Sequence, residues 1–148
     1  MTDEARSGKT GRRIGYLVAI VFNIGFLVVA TNLVAWDWFP WLTAEFDEVV
    51  PFIVASVTAT MVVNLAYLFF DPPWFKSIAE LGTLVFSMIA TARMLQVFPF
   101  DFASYDFSWG TMTRWILGLA IFGMGVAMIV HLAKLAGFAR NALEEAAS

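Results

Sequence analysis

Along this chain, long uncharged apolar stretches alternate with short segments that collect acids, prolines and tryptophans. The first stretch, IGYLVAIVFNIGFLVVATNLVAW between Arg13 and Asp37, would reach about 34 Å as a helix rising 1.5 Å per residue, enough to cover a hydrocarbon core of about 30 Å. It is too long for the apolar core of a signal peptide and lacks a small-residue cleavage site before Trp36, so it reads as a retained span. A second stretch runs from Val49 to Phe70. It opens with Pro51 near the first helical turn, where a missing N–H costs little, and stops at Asp71-Pro72-Pro73.

The third stretch, about 75–98, carries Glu80 and Arg93 inside an otherwise apolar pattern and still reads as a span. The fourth, about 115–135, is rich in Gly, Met and Ile. There Gly118 and Gly125 lie seven residues apart on one face, which predicts a helix-packing seam. The pattern predicts an all-α fold, an integral membrane four-helix bundle in one domain. Its expected spans are 14–36, 49–70, 75–98 and 115–135, with a basic tail at 1–13 and a helical tail at 136–148.

Composition agrees with this pattern and removes whole classes of chemistry. Of 148 residues, 60% are hydrophobic and 14% charged, where a soluble domain is roughly 25% charged. The chain has no cysteine, so disulfides, thiolate nucleophiles and Cys-ligated metal centres are excluded. One histidine, and no dense basic patch beyond the first thirteen residues, argue against nucleic acid as a partner. The N-terminal GKTGRR lacks the glycine spacing and the preceding strand of a phosphate-binding loop. No residue qualifies as catalytic, and neither a metal nor a cofactor is expected.

Charge placement sets the expected orientation. Arg6, Lys9, Arg12 and Arg13 in the first tail, Lys76 in the middle turn, and Lys134 and Arg140 in the last tail would all lie on the cytoplasmic side. The first and third loops hold Asp37, Glu45, Asp47, Glu48, Asp101 and Asp106, with Arg114 as the exception at the far edge. Both termini are therefore expected in the cytoplasm, in a multi-pass protein of the cell membrane, taken here as a bacterial inner membrane. The tryptophans fit as interfacial anchors: Trp36, Trp38, Trp41, Trp109 and Trp115 outside, and Trp74 inside. The loops WDWFPWLTAEFDE and FPFDFASYDFSW are both aromatic and acidic, and are expected to lie along the outer interface. Each contains a Phe-Pro step, which hints at two related helical hairpins.

An ionisable side chain at bilayer depth costs roughly 2.5 to 3.5 kcal/mol on insertion scales, so Glu80 and Arg93 each need a partner. Thirteen residues separate them, about 20 Å along a helix axis, so they cannot neutralise each other. For Glu80 two readings stand: an ion pair with Lys76 four residues earlier, or a cytoplasmic-side cluster of Glu80, His131 and Asn64 able to bind a proton, a cation or a polar ligand head. Arg93 has Asp101, Asp106, Gln96 and helix-end carbonyls as expected structural partners. Its functional reading is an anion or lipid-phosphate contact shared with Asn32. Glu80, Thr83, Ser87 and Thr91 follow helical spacing along one inward face, and Asn23 is expected to bond another helix or another subunit.

These features favour a non-enzymatic membrane module, a homo-oligomer or accessory subunit that contacts membrane lipids or a membrane protein partner. A small transporter or ligand-binding bundle using the intramembrane polar residues is the alternative, and a membrane enzyme comes third. The expected topology has a direct test: an impermeant reagent applied to intact cells should leave the C-terminal tail unlabelled, and labelling there would reverse the assignment.

Overall fold

The computed structural model of the chain describes residues 3–70 and 72–147, with side chains from residue 10 onward. Asp71 of the expected helix stop, and the side chains of Arg6 and Lys9, lie outside the described residues. Four helices and one 3₁₀ turn make up the described regular structure: α1 (Asp3–Trp36), the turn Ala44–Glu48, α2 (Val50–Phe69), α3 (Pro73–Val97) and α4 (Trp109–Ala146). All four helices are long and apolar enough to cross a membrane, which marks the chain as a multi-pass membrane protein. Helical structure also extends past the apolar stretches. The basic tail from Asp3 is continuous with α1, and α4 begins at Trp109 within the aromatic loop.

The helices pack in chain order, α1 on α2, α2 on α3 and α3 on α4; among the described residues α1 and α4 do not meet. The bundle is therefore an open row. In α1, Tyr16, Ile20, Asn23, Leu27, Ala30 and Val34 recur every three or four residues on its more buried side, while Val18, Val21 and Phe22 point away. Packing between α2 and α3 includes a hydroxyl pair, Ser56 Oγ to Ser87 Oγ at 3.0 Å, so one member of the expected polar face of α3 does reach a neighbouring helix. Thr83 and Thr91 instead donate to the carbonyls of Glu80 and Ser87 in their own helix.

Enclosure is tightest at the helix ends. Phe46, Val49 and Pro99 are buried where the first and third loops meet. Thr43 N–H donates to the Pro99 carbonyl at 3.0 Å and Asp101 N–H to the Trp41 carbonyl at 2.8 Å, zipping the loops through an antiparallel bridge at Leu42 and Phe100. Helices α1 and α3 both enter these loops through a left-handed residue, Asp37 at φ 50° and Phe98 at φ 47°. For bulky Phe98 that conformation is strained. Its ring compensates with a T-shaped contact to Phe100 at 5.4 Å and the Arg114 guanidinium 4.2 Å away. On the 3₁₀ turn, the Thr43 hydroxyl and then the local backbone N–H hold the Glu45 carboxyl below the usual carboxylate range.

At the opposite end Tyr67 ties three helices together. Its ring lies 5.3 Å from Tyr16 of α1 and 6.0 Å from Phe75 of α3, and its hydroxyl donates to the Lys76 carbonyl at 3.3 Å. Two expectations need correction. The Asn23 amide donates to the Ala19 carbonyl at 2.8 Å, one turn back in α1, because a short amide reaches its own backbone more readily than a neighbouring helix. A Cβ added at Gly118, Gly123 or Gly125 would meet nothing within 4 Å, so the glycine seam is unused within this chain.

Hydroxyl pairs between membrane helices contribute about 0.6 kcal/mol on average. Ser87→Ala is accordingly expected to destabilise the α2 to α3 packing by about that amount in a reversible unfolding assay in bicelles, and Thr91→Ala by clearly less. Lowering the pH should also weaken the 3₁₀ turn. A carboxylate whose folded pKa is depressed stabilises fully above its unfolded value and loses that stabilisation as pH falls through the folded one. Thr43→Ala should reduce this pH dependence in amide exchange at 44–48, the backbone contribution remaining.

Candidate functional site

Helix α3 carries a short contact between ionisable side chains toward each end, and both reach other parts of the chain. Close to its start, the Glu80 carboxylate meets His131 Nε2 of α4 at 2.9 Å. The imidazole side chain is mostly enclosed, at 14% exposure, whereas the carboxylate side chain is 46% exposed. His131 Nδ1 is buried with no partner among the described residues. An imidazole held through one nitrogen by a carboxylate has its orientation fixed, and its second nitrogen is left to donate or accept toward a further group.

Of the expected cytoplasmic-side cluster, then, Glu80 and His131 come together and Asn64 does not join them by hydrogen bond. Its amide donates to the Thr60 carbonyl at 2.8 Å in α2. The alternative reading for Glu80 paired it with Lys76. The Lys76 ammonium lies 5.7 Å from the centroids of both the Tyr16 and Tyr67 rings, where the ring faces stabilise positive charge.

Toward the other end of α3, an Arg93 terminal nitrogen donates to the Glu48 carboxylate at 2.8 Å, with side-chain exposures of 36% and 58%. The Phe52 ring lies 5.9 Å from the guanidinium. This corrects the expected partner: the acid comes from the first loop, not from Asp101 or Asp106. The reason is packing order. Glu48 ends the 3₁₀ turn immediately before α2, which lies against α3, whereas Asp101 is engaged locally, its Oδ1 accepting from Ala103 N–H at 2.9 Å. Asn32 also stays outside this group, its amide donating to the Val28 carbonyl at 2.8 Å. Arg93 Nε remains buried and unpartnered among the described residues.

The six tryptophans sit at or near helix ends. Trp36 closes α1 and stacks on Trp38 at 4.5 Å, Trp41 lies in the first loop, Trp74 is in the first turn of α3, and Trp109 opens α4 with Trp115 in its second turn. No group of three His, Cys, Asp or Glu among the described residues is arranged to hold a metal ion. Sequence reasoning missed the contribution of Glu48, the Tyr16–Tyr67–Lys76 cluster and the zipped loops. The first was recognisable as an acid next to the start of α2, but choosing it over five other loop acids requires knowing which helices are neighbours.

Exposed ion pairs contribute about 0.2 to 1 kcal/mol, and enclosure of one partner moves a pair toward the upper limit. A double-mutant cycle with Glu80→Ala and His131→Ala is therefore expected to give a coupling near 1 kcal/mol. The same cycle on the exposed Arg140 and Glu144 of α4, 3.5 Å apart, should give none measurable. Comparison with protein-family models, curated proteins and solved structures finds no match to this chain.

Proposed function

We propose that this chain is a non-enzymatic membrane module that works by associating with a second copy or with another membrane protein. The observation that carries this reading is the open row of helices. In a row where α1 and α4 do not close on each other, the Glu80 side chain beside His131 is 46% exposed inside an apolar stretch of α3. A carboxylate facing lipid is costly, and a covering protein surface removes that cost. Gly118, Gly123 and Gly125 of α4, which meet nothing among the described residues, offer the close backbone approach by which membrane helices associate. In this arrangement both tails face the cytoplasm, the acidic loops face outward, and the membrane is a bacterial inner membrane.

A second reading has its own support. The 2.9 Å contact of Glu80 with His131 and the unpartnered Nδ1 fit a small transporter or ligand-binding bundle in which the imidazole exchanges a proton as a ligand binds.

Native mass spectrometry of the detergent-extracted protein separates the two. Association predicts a dimer, a higher oligomer or a co-extracted protein. It also predicts that Gly118→Leu or Gly125→Leu dissociates the assembly at least tenfold while helicity by circular dichroism is kept. A monomer under all extraction conditions would remove the first reading. Under the second, Glu80→Gln abolishes pH-dependent ligand uptake into proteoliposomes, and an unchanged pH profile would remove that one.

A further inference from the structure

We infer that the aromatic cavity between the two acidic loops binds an organic cation with an apolar body. The cavity measures about 540 Å³, within the roughly 300 to 1,000 Å³ range of small-molecule sites. Its wall comes from three places in the chain: Trp41 of the first loop, Phe100, Phe102 and Tyr105 of the second acidic loop, and Trp109, Met112 and Thr113 at the start of α4. Five of these seven are aromatic. Their ring faces carry negative electrostatic potential, which attracts a cation and repels an anion of the same shape.

The cavity is preorganised by the contacts that zip the loops. Trp41, Phe100 and Phe102 form a three-ring cluster with each pair of centroids 5.9 Å apart, Phe102 lying nearly parallel to the other two at 26° and 19°, and the Asp101 N–H to Trp41 carbonyl bond ties the two loops at that spacing. Rings already fixed in place lose little freedom when a ligand enters. Charge acts in the same direction. Asp101 lies between Phe100 and Phe102 in the chain and Asp106 directly follows Tyr105, so two acids belong to the same loop as three of the rings. Across this end of the molecule, Asp37, Glu45, Asp47 and Glu48 add to them against Arg93 and Arg114. Glu48 is engaged by Arg93, and the other five acids maintain the negative field. The same ring cluster already holds one internal cation, the Arg114 guanidinium 4.2 Å from the Phe98 centroid, and Phe98 is in contact with cavity-lining Phe100.

The ligand chemistry is thus a quaternary or otherwise delocalised organic cation with apolar substituents, whether a free molecule or the trimethylammonium group of a phospholipid. This inference stands apart from the association proposed above, since the cavity lies wholly within one chain. It is tested with the full chain in phosphatidylglycerol nanodiscs by calorimetric titration of tetraphenylphosphonium, with empty nanodiscs subtracted. Tetraphenylborate, of matching size and opposite charge, serves as the comparison. The cation should bind saturably and the anion should not, and Trp41→Leu and Trp109→Leu should each weaken the cation at least fivefold with helicity retained. Asp101→Asn should weaken it less. Nanodiscs of phosphatidylcholine then distinguish the sources: a loss of affinity there assigns the cavity to the lipid headgroup, and an unchanged affinity assigns it to a free cation. Equal binding of the two ions, no saturable cation binding, or indifference to both tryptophan substitutions would overturn the assignment.

Discussion

In hydrocarbon a backbone amide has no water to bond, so each crossing segment must satisfy its hydrogen bonds within itself. That constraint makes the apolar stretches continuous helices, and here it extends to the polar side chains they carry. Asn23, Thr31, Asn32, Thr60, Asn64, Thr83 and Thr91 all return to a carbonyl three or four residues earlier in their own helix. A side chain bonded in this way has used a donor within its own helix before any neighbour is met. Few polar groups are therefore left to dictate how the helices assemble.

The remaining links between elements are few and well separated. Ser56 meets Ser87 between α2 and α3, Glu80 meets His131 between α3 and α4, and Arg93 meets Glu48 at the junction of α2 with the first loop. All three use α3, which packs on both α2 and α4. Rings and loops hold the ends, with Tyr67 clasping Tyr16 and Phe75 at one end and the paired loops enclosing Val49 and Pro99 at the other. The spans between these ends have few buried residues, and α4 has none. A helix face against lipid gains nothing by hiding apolar surface, so enclosure concentrates where chain and water meet.

Two consequences for function follow from this division. In this open row the Glu80–His131 contact joins α3 to α4 and leaves the carboxylate side chain 46% exposed, which is the feature on which the proposed association rests. The zipped loops build a separate aromatic chamber whose rings are fixed by backbone hydrogen bonds between segments about sixty residues apart in sequence, a spacing read directly from Trp41 and Asp101. One end of the molecule thus presents titratable groups, and the other presents ring faces within an acidic surround.

The apolar stretches, the prolines and the tryptophans by themselves determined that the chain is all-helical with four candidate spans, because length, hydropathy and helix-breaking chemistry are local properties. The meeting of Glu80 with His131 was legible as one of two readings for Glu80, since both were expected at similar depth near the same end of their helices, but the same reading included Asn64, whose amide donates to the Thr60 carbonyl. Tertiary structure alone decided the rest. It showed that the row is open, that Arg93 reaches Glu48 and not the acids of its own following loop, that Asn23, Asn32 and Asn64 turn back on their own helices, and that Gly118, Gly123 and Gly125 of α4 face empty space. Depth along a helix can be counted in residues, but rotation about its axis and the identity of its neighbours depend on how all four helices and both loops pack at once. Periodicity shows that a face exists without naming what it meets.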